Sequence, residues 1–336
     1  MADSVLHVAS IFQKDKEIIK YLIDKKADIN SKNLDKETPV HNAFSFNQNL
    51  EVIKEFCFRR EFDANDSNLD GRNCFELAFS HNTSCSVIKF LLDNYFGELY
   101  LQGQTPLHLA SSSNTSLDVF KVIVEEGGVI DVENDLGETP FDIAINKNQS
   151  LEIVKFLFES KAQLKQKPIW GGSHLHQASR NNPNLQVIKY LIEIKCDIEC
   201  KDHFENSILH YAVENNNLEV VKYLLDELKI PVNLENSHMY TPLHCAMNNN
   251  NLEVVKFLME RKADLNATTL HYHQTPIHLF AQHNRNREVI HFLFTHPLSD
   301  LNVKDDQGWF FFFFEQAPLL LSFYTQQRRY CSSHID

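Results

Sequence analysis

Histidines are the residues of this chain whose spacing comes nearest to a site for chemistry. His271, His273, His278 and His283 lie close together, and imidazole is a good zinc ligand. However, His278 belongs to a short motif that recurs along the chain, and His283 is expected near the far end of the helix that begins there. The four rings are therefore not expected to converge, and we predict neither a metal ion nor a cofactor.

Other residue types with catalytic or ligating potential also lack the pattern that a site needs. Cys196 and Cys200 are four apart, but no second cysteine pair accompanies them, so the zinc signal is poor. Glu219 and Lys222 have the i, i+3 spacing of a solvated helix face. There is no GxSxG elbow, HExxH pair or Gly-rich phosphate loop. The sequence therefore predicts no catalytic residues and no enzyme.

Composition narrows the class of partner and the compartment. A formal net charge of -13 repels phosphate backbones, so nucleic acid is not expected as a partner. The 7 cysteines show no paired spacing, which favours reduced thiols in the cytoplasm or nucleus. The amino terminus lacks the pattern of an ordinary secretory signal. The most apolar stretch, 310–324, contains Glu315 and Gln316 and is too short to predict a membrane segment.

One motif recurs along most of the chain. It begins like Thr-Pro-Leu-His, has an alanine two residues later, and continues into a segment like Glu-Val-Val-Lys-Phe-Leu. Successive copies are about 34 residues apart, a period typical of repeat proteins. The copies begin at Ser4, Thr38, Asn73, Thr105, Thr139, Ser173, Ser207, Thr241 and Thr275.

The clearest copy, 241–246 followed by 252–258, resembles the ankyrin repeat. The resemblance implies an all-α ankyrin-repeat solenoid of about nine helix–turn–helix repeats with short finger loops over 1–309. The third copy, at 73–76, is degenerate. The tail 310–336 lacks repeat character and begins with five phenylalanines, which suggests either a hydrophobic C-terminal cap or a gene-model artefact. We expect 325–336 to be poorly ordered.

The residue types in each copy have physical reasons. A Ser or Thr hydroxyl caps a helix start, and Pro fits the first helical position. In the second segment apolar residues lie on one side of a 3.6-residue period and charged residues on the other. The TPLH histidines are structural in the family, where they bond to the turn of their own or the next repeat; here they are His41, His108, His210, His244 and His278.

Two turns depart from the glycines usual in the family. Asn-rich turns occur at 215–217 and 248–251, and Asn tolerates the left-handed conformation, so we expect that conformation there. After the second helix, lysine occupies the usual glycine position. If the left-handed geometry is kept, each lysine destabilises the fold by about 1 kcal/mol relative to glycine. These lysines are Lys26, Lys161, Lys195 and Lys262.

Ring side chains cluster near the expected finger tips in the second half of the chain. Exposed aromatic residues are over-represented at binding hot spots, so we predict a protein- or peptide-binding stripe. Its residues are Trp170, Phe204, His238, Tyr240 and Tyr272. The alternative is that these rings fold back onto the helices. Asn30 and Asn266 also lie in segments that resemble the asparaginyl-hydroxylation sequence of ankyrin repeats, although an Asn at this place also simply closes a turn.

The predicted function is that of a scaffold or adaptor and not of an enzyme. We expect the chain to bind a partner protein or peptide as a monomer, through its finger tips and concave face. Two alternatives remain open: a regulatory or targeting fragment of a larger ankyrin-containing protein, and a secreted effector directed at a host cell. Repeats of this kind recur in proteins of unrelated roles, so neither the partner nor the pathway follows from them.

Overall fold

The computed structural model describes residues 3–95, 103–148, 150–160, 162, 171–215, 217–248, 251–283, 287–296 and 303–306. These residues form helices in pairs, labelled α1 to α18 in chain order. The pairs are Val5–Phe12 with Lys16–Asp24, Pro39–Phe46 with Leu50–Cys57, Cys74–His81 with Cys85–Tyr95, Pro106–Ser113 with Leu117–Glu125, Pro140–Lys147 with Leu151–Glu159, His174–Asn181 with Leu185–Glu193, Ile208–Glu214 with Leu218–Lys222, Pro242–Asn248 with Leu252–Glu260, and Pro276–His283 with Arg287–Thr295. The all-α prediction is confirmed.

The first helix of each pair begins one residue after a motif start, because the Ser, Thr or Asn there caps it. In α3, Thr38 Oγ1 accepts a hydrogen bond from the His41 backbone N–H, and Pro39 occupies the first helical position. The degenerate copy uses Asn73, whose side chain accepts from the Glu76 N–H. A local exchange of side-chain and backbone hydrogen bonds therefore fixes each helix start.

The second helix of each pair buries one apolar side. In α4, Val52, Ile53 and Phe56 are fully buried, while Glu51 and Lys54 form an exposed ion pair of 2.9 Å. Such an exposed pair contributes little to stability, so burial of the apolar side holds these helices in place. The α14 helix continues as a π-helical turn, Tyr223–Glu227.

The chain divides into two compact units, Met1–Asp197 and Ile198–Asp336. Within the first unit, helices α1, α3, α5, α7, α9 and α11 pack in succession. Within the second unit, α13 packs on α15 and α15 on α17. Each unit therefore builds its core from contacts between neighbouring repeats.

The expectation of left-handed asparagines between the two helices is wrong at the described positions. Asn215, Asn217 and Asn251 have φ of −74°, −83° and −93°. In the first unit the corresponding turns place a buried, extended asparagine after every first helix except α1, which is followed by Gln13. Its amide nitrogen donates to the carbonyl of the asparagine one repeat earlier at 2.9 Å: Asn82 to Asn47, Asn114 to Asn82, Asn148 to Asn114, and Asn182 to Asn148. We call this row the asparagine ladder.

The left-handed lysines are confirmed where the structure describes them. Lys26, Lys195 and Lys262 have φ of 67°, 66° and 63°. Lys161 lies outside the described residues. At Lys262 the backbone N–H donates to Met259 O, and the next N–H, of Ala263, donates to Leu258 O. These bonds close the helix end, so the chain reverses although the residue is not glycine.

Candidate partner-binding surface

Each described finger is a tight loop organised by one polar side chain at its first residue. In the second unit Asp202 Oδ1 accepts hydrogen bonds from the N–H groups of Phe204 and Asn206, both at 2.8 Å. Asn236 Oδ1 accepts in the same way from His238 and Tyr240, both at 2.9 Å. These bonds fold the loop locally, as Asx turns do, and bring Phe204 and His238 to equivalent places in successive fingers.

Successive fingers are joined by backbone hydrogen bonds. The Ser237 N–H donates to Phe204 O at 2.8 Å, and the Leu270 N–H donates to His238 O at 2.9 Å. The first unit has the same bond between the Leu69 N–H and Asp35 O, at 2.7 Å. The spacing between side chains on neighbouring tips is therefore set by main-chain bonds.

Three rings of the second unit contact one another in a row along these fingers. The centroids of Phe204 and His238 are 6.2 Å apart, and those of His238 and His271 are 6.0 Å apart. Phe204 is 53% exposed, and His271 is also exposed. We call Phe204, His238 and His271 the ring row. It offers a continuous, partly apolar surface on a fixed backbone.

The ring row includes His271, which the predicted binding stripe did not contain. The motif start at Thr275 places Tyr272 in register with Phe204 and His238, but this finger spans one residue more. Its closing bond runs from the Thr269 N–H to Gln274 O, whereas the preceding finger closes from Asn236 to Tyr240. The extra residue moves His271 into the row and leaves Tyr272 beside it, 54% exposed. Counting from the first polar residue of each finger would have found His271.

The remaining residues of the predicted stripe lie elsewhere. Tyr240 is half-buried with its ring 5.4 Å from that of His244, and its carbonyl accepts from His210 Nε2 at 3.0 Å. Burial raises the pKa of the Tyr240 hydroxyl, and proximity to Cys245 adds to this. Tyr240 therefore packs against the helices. Trp170 lies outside the described residues.

The tips differ in the residue that takes the left-handed conformation. At the tips of the first unit this residue is a glycine, with Lys36 as the exception; the glycines are Gly71, Gly103, Gly137 and Gly171. At the tips of the second unit the left-handed residues are Glu205, Met239, Tyr272 and His273. Each non-glycine residue there destabilises the fold by about 1 kcal/mol. The second unit therefore keeps side chains where glycine would fold more easily.

The TPLH histidines have the structural role that the resemblance implies. His244 Nδ1 accepts from the Thr241 N–H at 3.1 Å, and Nε2 donates to Gln274 O in the next finger at 3.2 Å. This pattern requires the neutral ring. Burial lowers the pKa of His244 to about 4 and also lowers the pKa values of His41 and His108. In the described part of the chain, no group of three or more His, Cys, Asp or Glu residues could hold a metal ion.

Two repeats replace the TPLH histidine with an acid, Glu76 in the degenerate copy and Asp142 two repeats later. Asp142 accepts hydrogen bonds from the Thr139 N–H at 2.8 Å and from His174 Nε2 at 3.0 Å. Burial alone would raise the pKa of Asp142, but the bonds from His174 and Thr139 outweigh it, and the pKa lies below the ordinary value of 3.8. The bond to the next repeat, which the TPLH histidine makes elsewhere, is therefore made here between Asp142 and the His174 ring.

The two candidate hydroxylation sites occupy the same local structure. Asn30 and Asn266 are exposed, and each directly follows a buried residue, Ile29 or Leu265. The N–H of Asn30 donates to Asp28 Oδ1 at 2.9 Å, and that of Asn266 donates to Asp264 Oδ1 at 2.9 Å. Both asparagines therefore lie on tight, solvent-facing turns.

Comparison with known proteins identifies the family. The family model for ankyrin repeats matches residues 6–100, 81–168 and 175–269, which together cover more than half of the chain. The chain belongs to the ankyrin repeat family, as the recurring motif predicts. No curated protein matches it. Ankyrin repeats are generally protein–protein interaction modules.

Among the described residues, no helix is long and apolar enough to cross a bilayer.

Proposed function

We propose that the chain is a non-catalytic adaptor that binds a partner protein through the finger tips of its second unit. The observation that carries this proposal is the ring row, in which the exposed Phe204 and His271 flank the half-buried His238 on fingers joined by backbone bonds. Aromatic side chains held rigidly at a surface supply contact area with little loss of conformational entropy on binding.

Apolar residues on other tips support the proposal. Leu34 and Leu136 of the first unit are 76% and 70% exposed, so further fingers can add contacts. The described cysteines are free thiols, which suits a reducing compartment such as the cytoplasm or nucleus. With a net charge of -13, the partner is a protein and not a nucleic acid. We further propose that the chain acts as a monomer and that the repeats form one array over 1–309.

The test is affinity capture with the full chain and a ring-row double variant, Phe204→Ala with His271→Ala, followed by quantitative mass spectrometry. We expect recovery of a specific partner to fall about tenfold in the double variant, with unchanged helical circular dichroism. Glu219→Ala, which removes an exposed side chain on α14, is the matched control and should keep full recovery. Equal recovery by the double variant would exclude the ring row as the binding surface.

We also propose that Asn30 and Asn266 are substrates of an asparaginyl hydroxylase. Their exposure on matching turns supports this, because an enzyme must reach the side chain. Peptide mass spectrometry of the chain purified from its own cells should show a gain of one oxygen atom at these asparagines. Asn233, also exposed, serves as the internal control. Unmodified Asn30 and Asn266 at full peptide coverage would contradict the proposal.

A further inference from the structure

The left-handed tip residues of the second unit directly follow the ring row. Glu205 follows Phe204, Met239 follows His238, and Tyr272 follows His271. Each finger therefore presents a ring and then a side chain held in a conformation that glycine adopts without strain. Backbone strain clusters at ligand-binding sites, so its recurrence directly after each ring on three successive fingers points to function.

We propose that the ring row and these tip residues together bind an extended polypeptide segment with apolar side chains at alternate positions. This inference rests on the proposed function and specifies the partner of the same surface. Glu205, Met239 and Tyr272 form the second row of the site, which we call the tip row.

The spacing of the rings carries the choice of an extended segment. Consecutive ring centroids are 6.2 Å and 6.0 Å apart. In an extended chain, alternate side chains point the same way and are about 6.6 Å apart. A helix also advances about 6 Å over four residues, but each such step rotates the side chain by about 40° away from a straight row. An extended segment can therefore keep one face on all three rings.

The charges beside the two rows favour an apolar segment. Glu205 is paired with Lys201 at 3.4 Å, and His273 donates to Asp306 at 2.7 Å. Because these carboxylates already have local partners, they provide little net field to attract a charged segment. The rings and Met239 offer apolar contact instead.

The first experiment selects ligands from a phage-displayed library of random dodecapeptides. The full chain is the target, and the double variant Phe204→Ala with His271→Ala is used for counter-selection. We expect enriched peptides with apolar residues at alternate positions. Enrichment of peptides with apolar residues three and four apart, or no enrichment over the double variant, would overturn the inference. These outcomes do not depend on whether the double variant loses partner capture. Failure of this inference can therefore be distinguished from failure of the proposed function.

The second experiment replaces the strained tip residues with glycine and measures stability and binding together. Glu205→Gly with Met239→Gly should raise the thermal midpoint while weakening a selected peptide about tenfold in fluorescence anisotropy. Lys262→Gly, at a left-handed helix end of the same unit, is the matched control and should raise the midpoint with unchanged binding. Unchanged peptide affinity in the tip-row variant would remove the tip row from the site.

Discussion

Lysine at a left-handed helix end is an unusual choice that can be tested one residue at a time. Lys26 and Lys262 are exposed and have φ of 67° and 63°, so their side chains add little packing to offset the backbone strain. Lys26→Gly and Lys262→Gly should each stabilise the fold by about 1 kcal/mol, or raise the thermal midpoint by about 3 °C. Differential scanning calorimetry measures this directly.

The control for these variants lies within a helix. Lys256 is in the interior of α16, where glycine destabilises by about 1 kcal/mol relative to a good helix former. Lys256→Gly should therefore lower the midpoint while Lys262→Gly raises it. The same sign for both variants would mean that the left-handed turn is not the source of the strain.

At the scale of elements, the asparagine ladder predicts that glycine is a poor substitute between the helices. The Asn114 side chain donates to Phe79 O and Asn82 O, both at 2.9 Å, and accepts from the Ser116 N–H. Asn114→Gly would leave these buried groups unpaired, and each unsatisfied group lowers the free energy of unfolding by about 1–3 kcal/mol. Urea unfolding should therefore show a loss of stability.

The exposed Thr115, next to Asn114, provides the comparison, because Thr115→Gly leaves the ladder intact. If Asn114→Gly stabilised the chain instead, the turn would need backbone freedom more than the ladder bonds.

The limits of prediction from sequence are clearest at these turns. Helix starts could be predicted because a cap bonds to residues three positions away, as Thr38 does to His41. The partners of Asn114 lie 35 and 32 residues back in the chain, so its role depends on how repeats pack. The place of His271 in the ring row depends on one additional residue in its finger. Local hydrogen bonds therefore make the helix starts predictable from sequence, whereas the asparagine ladder and the ring row depend on packing between repeats.

At the scale of the whole molecule, the repeated buried histidines make stability depend on pH. His244 has its pKa lowered to about 4 by burial, against an ordinary value of 6.5, and those of His41 and His108 are lowered by burial too. As the pH falls below 6.5, the histidines of the unfolded chain bind protons before those of the folded chain do. The contribution of these histidines to the free energy of unfolding is therefore fully present above pH 6.5 and is lost on acidification. For His244 this loss is about 3 kcal/mol on reaching pH 4.

Urea unfolding at a series of pH values should show this loss, and a variant can assign part of it. His244→Gln removes a titrating group, so it should be less stable at pH 7 but lose less stability between pH 6.5 and pH 4 than the wild type. His203→Gln, at an exposed finger position of the same unit, should keep the steep wild-type dependence. An unfolding free energy that stays constant from pH 6.5 to pH 4 in the wild type would mean that these histidines are not held neutral by the fold.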